Sequence, residues 1–167
     1  MRVELDHADR MAIPARREPW RSHAALFAAG GVSIITGGLV AAVTGPTEWV
    51  HGSWVAAFLV LVAGAAQIGI GAGQSHLSAA TPSGGFTALE CVLWNAGCAT
   101  VVAGTLLASP VTVTTGSTLL VATLVMSAVA VRPSRRQRSA LLLLYRAMLA
   151  GLLVSIPIGI GLAWTRH

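Results

Sequence analysis

Within residues 67–98, a stretch otherwise dominated by alanine, valine, glycine and leucine carries Gln67, Gln74, Glu90, Cys91, Asn95 and Cys98. A carboxyl in such surroundings can hold a proton, balance a cation or help bind a cofactor, and the amides and thiols can donate to it or ligate. Nucleophilic catalysis needs a base beside its nucleophile. Cys91 follows Glu90 directly, but adjacent residues on a helix diverge, and no histidine is spaced to activate either thiol. The chain contains no phosphate-binding glycine loop, no HExxH and no nucleophile elbow. The pattern leans against an enzyme.

Imidazole is the commonest metal ligand, and the chain has 5 histidines. His23 and His76 are expected at the same end of their helices, near Glu90 and Cys91, and could together hold haem, copper or a quinone. The alternative is that they are ordinary interfacial histidines. In "EWVHGSW", Glu48 and His51 have the spacing of one helical turn. Two ligands are too few for a closed zinc site, which takes four. The flanking Trp49 and Trp54, with Trp164, fit an aromatic belt that anchors helix ends at a membrane interface. No cofactor is specified by these patterns.

The elements that position these groups follow from composition. Of the 167 residues, 54% are hydrophobic and only 10% charged, against roughly a quarter charged in soluble domains. The apolar residues fall into five blocks, 23–44, 54–76, 87–109, 111–131 and 140–164, each near the ~20 residues that a helix needs to cross a bilayer. Backbone groups in lipid must be bonded internally, which leaves helices or a closed barrel, and unbroken apolar runs exclude the alternation of a barrel strand. The first block is too long, and its leader too acidic at Glu4, Asp6, Asp9 and Glu18, for a cleaved signal. The expected fold is an all-α integral membrane bundle of five transmembrane helices over residues 23–164. A flexible basic head, residues 1–22, is too short and polar to fold alone, and a short tail, residues 165–167, follows.

All 11 basic residues are arginine. Apart from Arg146 and Arg166 they lie in the head and in "RPSRRQRS" between the fourth and fifth blocks. Five spans put both groups on one side, so the positive-inside rule places the N-terminus in the cytoplasm and the C-terminus outside, in a multi-pass protein of the plasma (inner) membrane. The net charge of +5 then answers to orientation and anionic headgroups. No aromatic residues interleave with the arginines, so nucleic acid is not an expected partner.

Small residues mark close helix approach in membranes. Gly30 and Gly37, Gly31 and Gly38, and Gly64 and Gly71 each recur after seven residues. On the third helix, Thr87, Glu90, Cys91, Trp94, Asn95, Cys98 and Thr105 share one face, with Leu89, Val92, Leu93, Ala96, Ala99, Ala103 and Leu107 opposite. The polar face must meet protein. An antiparallel hairpin of helices two and three would set Gln67 near Asn95, Gly71 near Cys91 and Gln74 near Glu90, as the polar-bonded centre of the bundle. Arg146 should lie at the depth of Glu90. Either the two pair, or Arg146 snorkels to the headgroups while Glu90 stays a neutral acid. Cys91 and Cys98 are roughly 10 Å apart along one helix, beyond disulfide reach.

The function expected from these features is that of a non-enzymatic subunit or accessory factor of a larger membrane assembly, partnered by the lipid bilayer and by another membrane protein or further copies of itself. Two alternatives stand beside it. One is a cofactor-binding redox subunit. The other is a small oligomeric transporter or channel with a proton or ion path through Glu90, Gln74, Asn95 and Gln67, met from the far side by the threonines of the fourth helix.

Overall fold

The computed structural model describes residues 23–78, 82–131 and 140–165. Their regular structure is helical: α1 (Ala24–Thr47), α2 (Gly52–Leu77), α3 (Gly84–Leu106), α4 (Pro110–Ala130) and α5 (Ala140–Thr165). All five are long and apolar enough to span a membrane, and they match the blocks expected from the sequence to within a few residues. The head, the "RPSRRQRS" segment and His167 lie outside the described residues, and with them the arginine groups that bear on orientation.

Local chemistry sets the ends. Ser83 caps α3 by accepting from the Phe86 N–H at 3.2 Å. Ser109 caps α4 by accepting from Thr112 N–H at 3.4 Å, with Pro110 in the first turn, where its missing N–H costs nothing. α1 runs on through Pro46 to Thr47 and stops where Glu48 turns left-handed, φ 50°, donating its N–H to the Gly45 carbonyl. Ala108, φ 51°, reverses the chain between α3 and α4.

One feature of α2 has no counterpart in the sequence pattern: Leu59–Ala66 is wound as a π-helix. Its i→i+5 bonding widens the turn and rotates the residues on either side relative to an uninterrupted α-helix. The part carrying Gln67 and Gln74 is therefore set at a different angle from the part carrying Trp54 and Phe58.

Packing joins the helices as two tight hairpins, α1 with α2 and α3 with α4, and α5 lies against α4 and α2. Glycines fix both hairpins. A Cβ at Gly30 would stand 3.0 Å from the Gly64 carbonyl oxygen, and one at Gly37 would stand 3.0 Å from that of Ala56. Gly97 and Gly116 face each other across α3 and α4 in the same way. Gly31 and Gly38 have nothing within 4 Å and look outward with Val32, Ile35 and Leu39. Of the two seven-residue repeats on α1, the Gly30 and Gly37 pair is thus packed and the Gly31 and Gly38 pair is open. Gly37→Leu is expected to cost about 1–3 kcal/mol by forcing α1 off α2. Gly38→Leu should be neutral or better by up to about 1 kcal/mol through helix propensity. Unfolding in mixed micelles, followed by helical circular dichroism, distinguishes the two.

Candidate functional site

Glu90 is fully buried on the inner face of α3. Gln74 Nε2 on α2 lies 2.7 Å from Oε1 and 2.8 Å from Oε2 and donates to the carboxyl. On α4, the Ser127 hydroxyl bonds Oε1 and also reaches the Thr123 carbonyl oxygen at 2.9 Å. From α5, Tyr145 Oη donates to the Ser127 carbonyl at 3.1 Å. Gln74, Glu90, Ser127 and Tyr145 thereby connect four of the five helices. Gly73 makes room for this arrangement, because a Cβ there would overlap the Tyr145 ring. From α1, His23 is buried at the helix start and lies within electrostatic range of Glu90.

The Gln74 to Glu90 contact is the one expected from matched depth. Of the other two expected pairs, Gln67 and Asn95 converge on one atom, both amides reaching Cys91 Sγ, at 3.4 and 3.6 Å, whereas Gly71 is displaced from Cys91. The Asn95 amide also folds back onto its own helix and donates to the Cys91 carbonyl at 2.8 Å. Gly71 faces Leu26 of α1, 3.3 Å from where its Cβ would be. The reason is spatial: α1 occupies the glycine face of α2, so α2 and α3 meet through long side chains rather than through backbone contact. Helices two and three do carry the polar centre, but the tightest packing lies elsewhere. The two faces of α3 fall as the periodicity requires, with Thr87, Glu90, Trp94 and Cys98 buried and Leu89, Val92 and Leu107 exposed. Both thiols are free.

Arg146 does not join the cluster. It is exposed, whereas its neighbour Tyr145 is buried, so it is Tyr145 that α5 turns inward beside Glu90. His76 is also exposed, on the side of α2 away from Gln67 and Gln74, whereas His23 is buried. Glu48 and His51 are exposed in the turn between α1 and α2, where the left-handed Glu48 breaks the helical turn their spacing suggested. Trp49, Trp54 and Trp164 are exposed near helix ends, Trp54 stacks on Phe58, and the Trp164 indole donates to Thr114 Oγ1 at 3.4 Å. Among the described residues, no group of three or more His, Cys, Asp or Glu side chains could hold a metal.

Ser127 and Tyr145 are the members of the cluster that sequence reasoning missed. Leu142, Tyr145 and Leu149 repeat at helical spacing and form the buried face of α5, a signal present in the sequence but overshadowed by the charge on Arg146. Ser127 carries no such signal, since serines on membrane helices commonly bond their own backbone.

Chemically, the Glu90 carboxyl is fully enclosed by its partners. The Thr123 carbonyl can only accept, so a carboxyl that keeps its proton can donate to Ser127 Oγ, and the serine proton then goes to Thr123. Each cross-helix bond of this kind contributes roughly 0.6–2 kcal/mol in a bilayer. The threonines of α4 do not continue the cluster toward the other end: Thr114, Thr115 and Thr118 donate to carbonyls of their own helix. Compared with known proteins, the chain matches no protein-family model, and no curated protein or solved structure is significantly similar to it.

Proposed function

We propose that the protein is a non-enzymatic subunit or accessory factor of a larger membrane assembly, lying in the plasma membrane with its arginine-rich head in the cytoplasm and its C-terminus outside. The observation that carries this reading is the outer surface of the first hairpin. There α1 and α2 leave a shallow groove of about 490 Å³ lined by Gly38, Ala41, Gly45, Ala56 and Ala57 among others. Small residues on a membrane-facing surface let a second helix come close enough for van der Waals contact along its length. The partner is a transmembrane helix of another protein. The use of Glu90 supports the same reading, because its carboxyl holds the bundle's own helices together and is fully enclosed.

Native mass spectrometry of the protein extracted in mild detergent from its own membranes tests this proposal. The expected result is a second polypeptide bound to the wild type and lost from Gly38→Leu, a variant whose added side chain enters the groove without touching the bundle interior. A lone protomer, a homo-oligomer, or a complex untouched by Gly38→Leu would each overturn the proposed docking surface.

A further inference from the structure

Beyond this role, we infer that the bundle binds a single acyl chain of a membrane phospholipid, in the cleft between the C-terminal half of α5 and helices α2, α3 and α4. Leu142, Tyr145 and Leu149, spaced by three and four residues, form the buried face of α5. The same stripe continues through Leu152, Ile156, Gly159 and Ala163, but there it lines a cleft of about 580 Å³. Ile156 is only half-buried and Gly159 is exposed. One face of α5 thus packs into the bundle at one end and roofs a cleft at the other.

The dimensions of the cleft select its occupant. It follows α4 from Pro110 to Leu124, a depth of roughly 21 Å at about 1.5 Å per residue. Spread over that depth, its 580 Å³ gives a mean width of roughly 6 Å, about half the 10–12 Å diameter of a helix with its side chains. A partner helix does not fit. A zigzag hydrocarbon does: with the bond lengths and angles of saturated carbon it advances about 1.25 Å per carbon, so a chain of roughly 16 carbons fills the depth. The chemistry of the walls agrees. No Asp, Glu, Lys or Arg lines the cleft, and Phe58, Val62, Leu120 and Leu124 are among its inner walls. His51, Thr105 and Ser109 line the other end, where α3 ends and α4 begins, which is the level of the headgroups when the helices span a bilayer. A phospholipid can therefore keep its head in the interface, with one chain in the cleft and the other in the surrounding lipid. None of the lining residues belongs to the Glu90 cluster or to the groove on the first hairpin, so this site and the proposed docking surface stand or fall separately.

The test is a titration of delipidated full-length protein, in a steroid-based detergent whose rigid body is too wide for the cleft, read by native mass spectrometry. The ligands are dipalmitoyl phosphatidylglycerol, its dioctanoyl analogue and free palmitate. Saturable binding of one dipalmitoyl lipid per protomer is expected, with the dioctanoyl form roughly three- to tenfold weaker because its chain leaves the inner walls uncovered. Ile156→Trp narrows the cleft from the α5 side and should weaken binding by about tenfold. Val154→Trp, at an exposed position on the opposite face of the same helix, should leave it unchanged. Gly159→Leu adds bulk to the lining where a Cβ would meet nothing within 4 Å, so it keeps the test decisive where the Ile156 variant disturbs folding. The inference is overturned by equal affinity for the two chain lengths, by lipid bound without saturation, by palmitate or a second protomer binding in place of the phospholipid, or by binding that ignores both Ile156→Trp and Gly159→Leu.

Discussion

Glu90→Leu is expected to destabilise the bundle by on the order of 2–4 kcal/mol, whereas Glu90→Gln should stay within about 1 kcal/mol of wild type. Leucine removes the acceptor of Gln74, a side chain that is 1% exposed and whose Oε1 has no hydrogen-bond partner among the described residues. The whole amide is then buried and unsatisfied, and the link from α2 through α3 to α4 is cut. Glutamine keeps the shape. Its carbonyl accepts from Gln74, and its NH2 donates to Ser127 as a protonated carboxyl would. Equilibrium unfolding in mixed detergent micelles measures both values. Were glutamine as damaging as leucine, the acidity of Glu90 rather than its hydrogen bonding would be what the protein needs, and a proton or ion path would become the better reading.

Gly116→Leu should be comparably severe for a different reason. A Cβ at Gly116 would sit 2.8 Å from both the Gly97 carbonyl oxygen and the Val101 N–H. These are backbone atoms of a helix, which cannot swing aside as a flexible side chain can. The substitution must separate α3 from α4, at a cost of about 3 kcal/mol or more, the upper end of overpacking effects. Separation would also draw Ser127 away from Glu90, coupling this contact to the polar cluster. Gly159→Leu is the control, since nothing lies within 4 Å of a Cβ there, and helix propensity alone should leave it neutral or slightly stabilised. Unfolding midpoints of the three proteins measured side by side decide the matter, and equal midpoints for Gly116→Leu and Gly159→Leu would contradict the close α3–α4 contact.

The five helices and their extents were legible in the sequence because crossing a bilayer is a one-dimensional requirement. About 20 apolar residues suffice, and serines or a proline at the boundary mark the start. The faces of α3 were legible too, since the helical period alone decides which side chains share a side. That Glu90 would meet Gln74 followed from equal depth in a hairpin. What sequence could not decide was which surfaces touch. Periodicity gives each helix a polar or small face but no neighbour for it, so it did not show that α1 rather than α3 covers Gly71, or that Gln67 stops at Cys91. The π-helical stretch in α2 rotates one half of that helix against the other without any residue that announces it. Arg146 drew attention by its charge, yet the angle at which α5 packs turns Tyr145 inward and Arg146 out. The space left between α2, α3, α4 and α5 is likewise a property of four helices together. These features depend on crossing angles and on volumes left between helices, and those are set by all the packed side chains together rather than by any one segment.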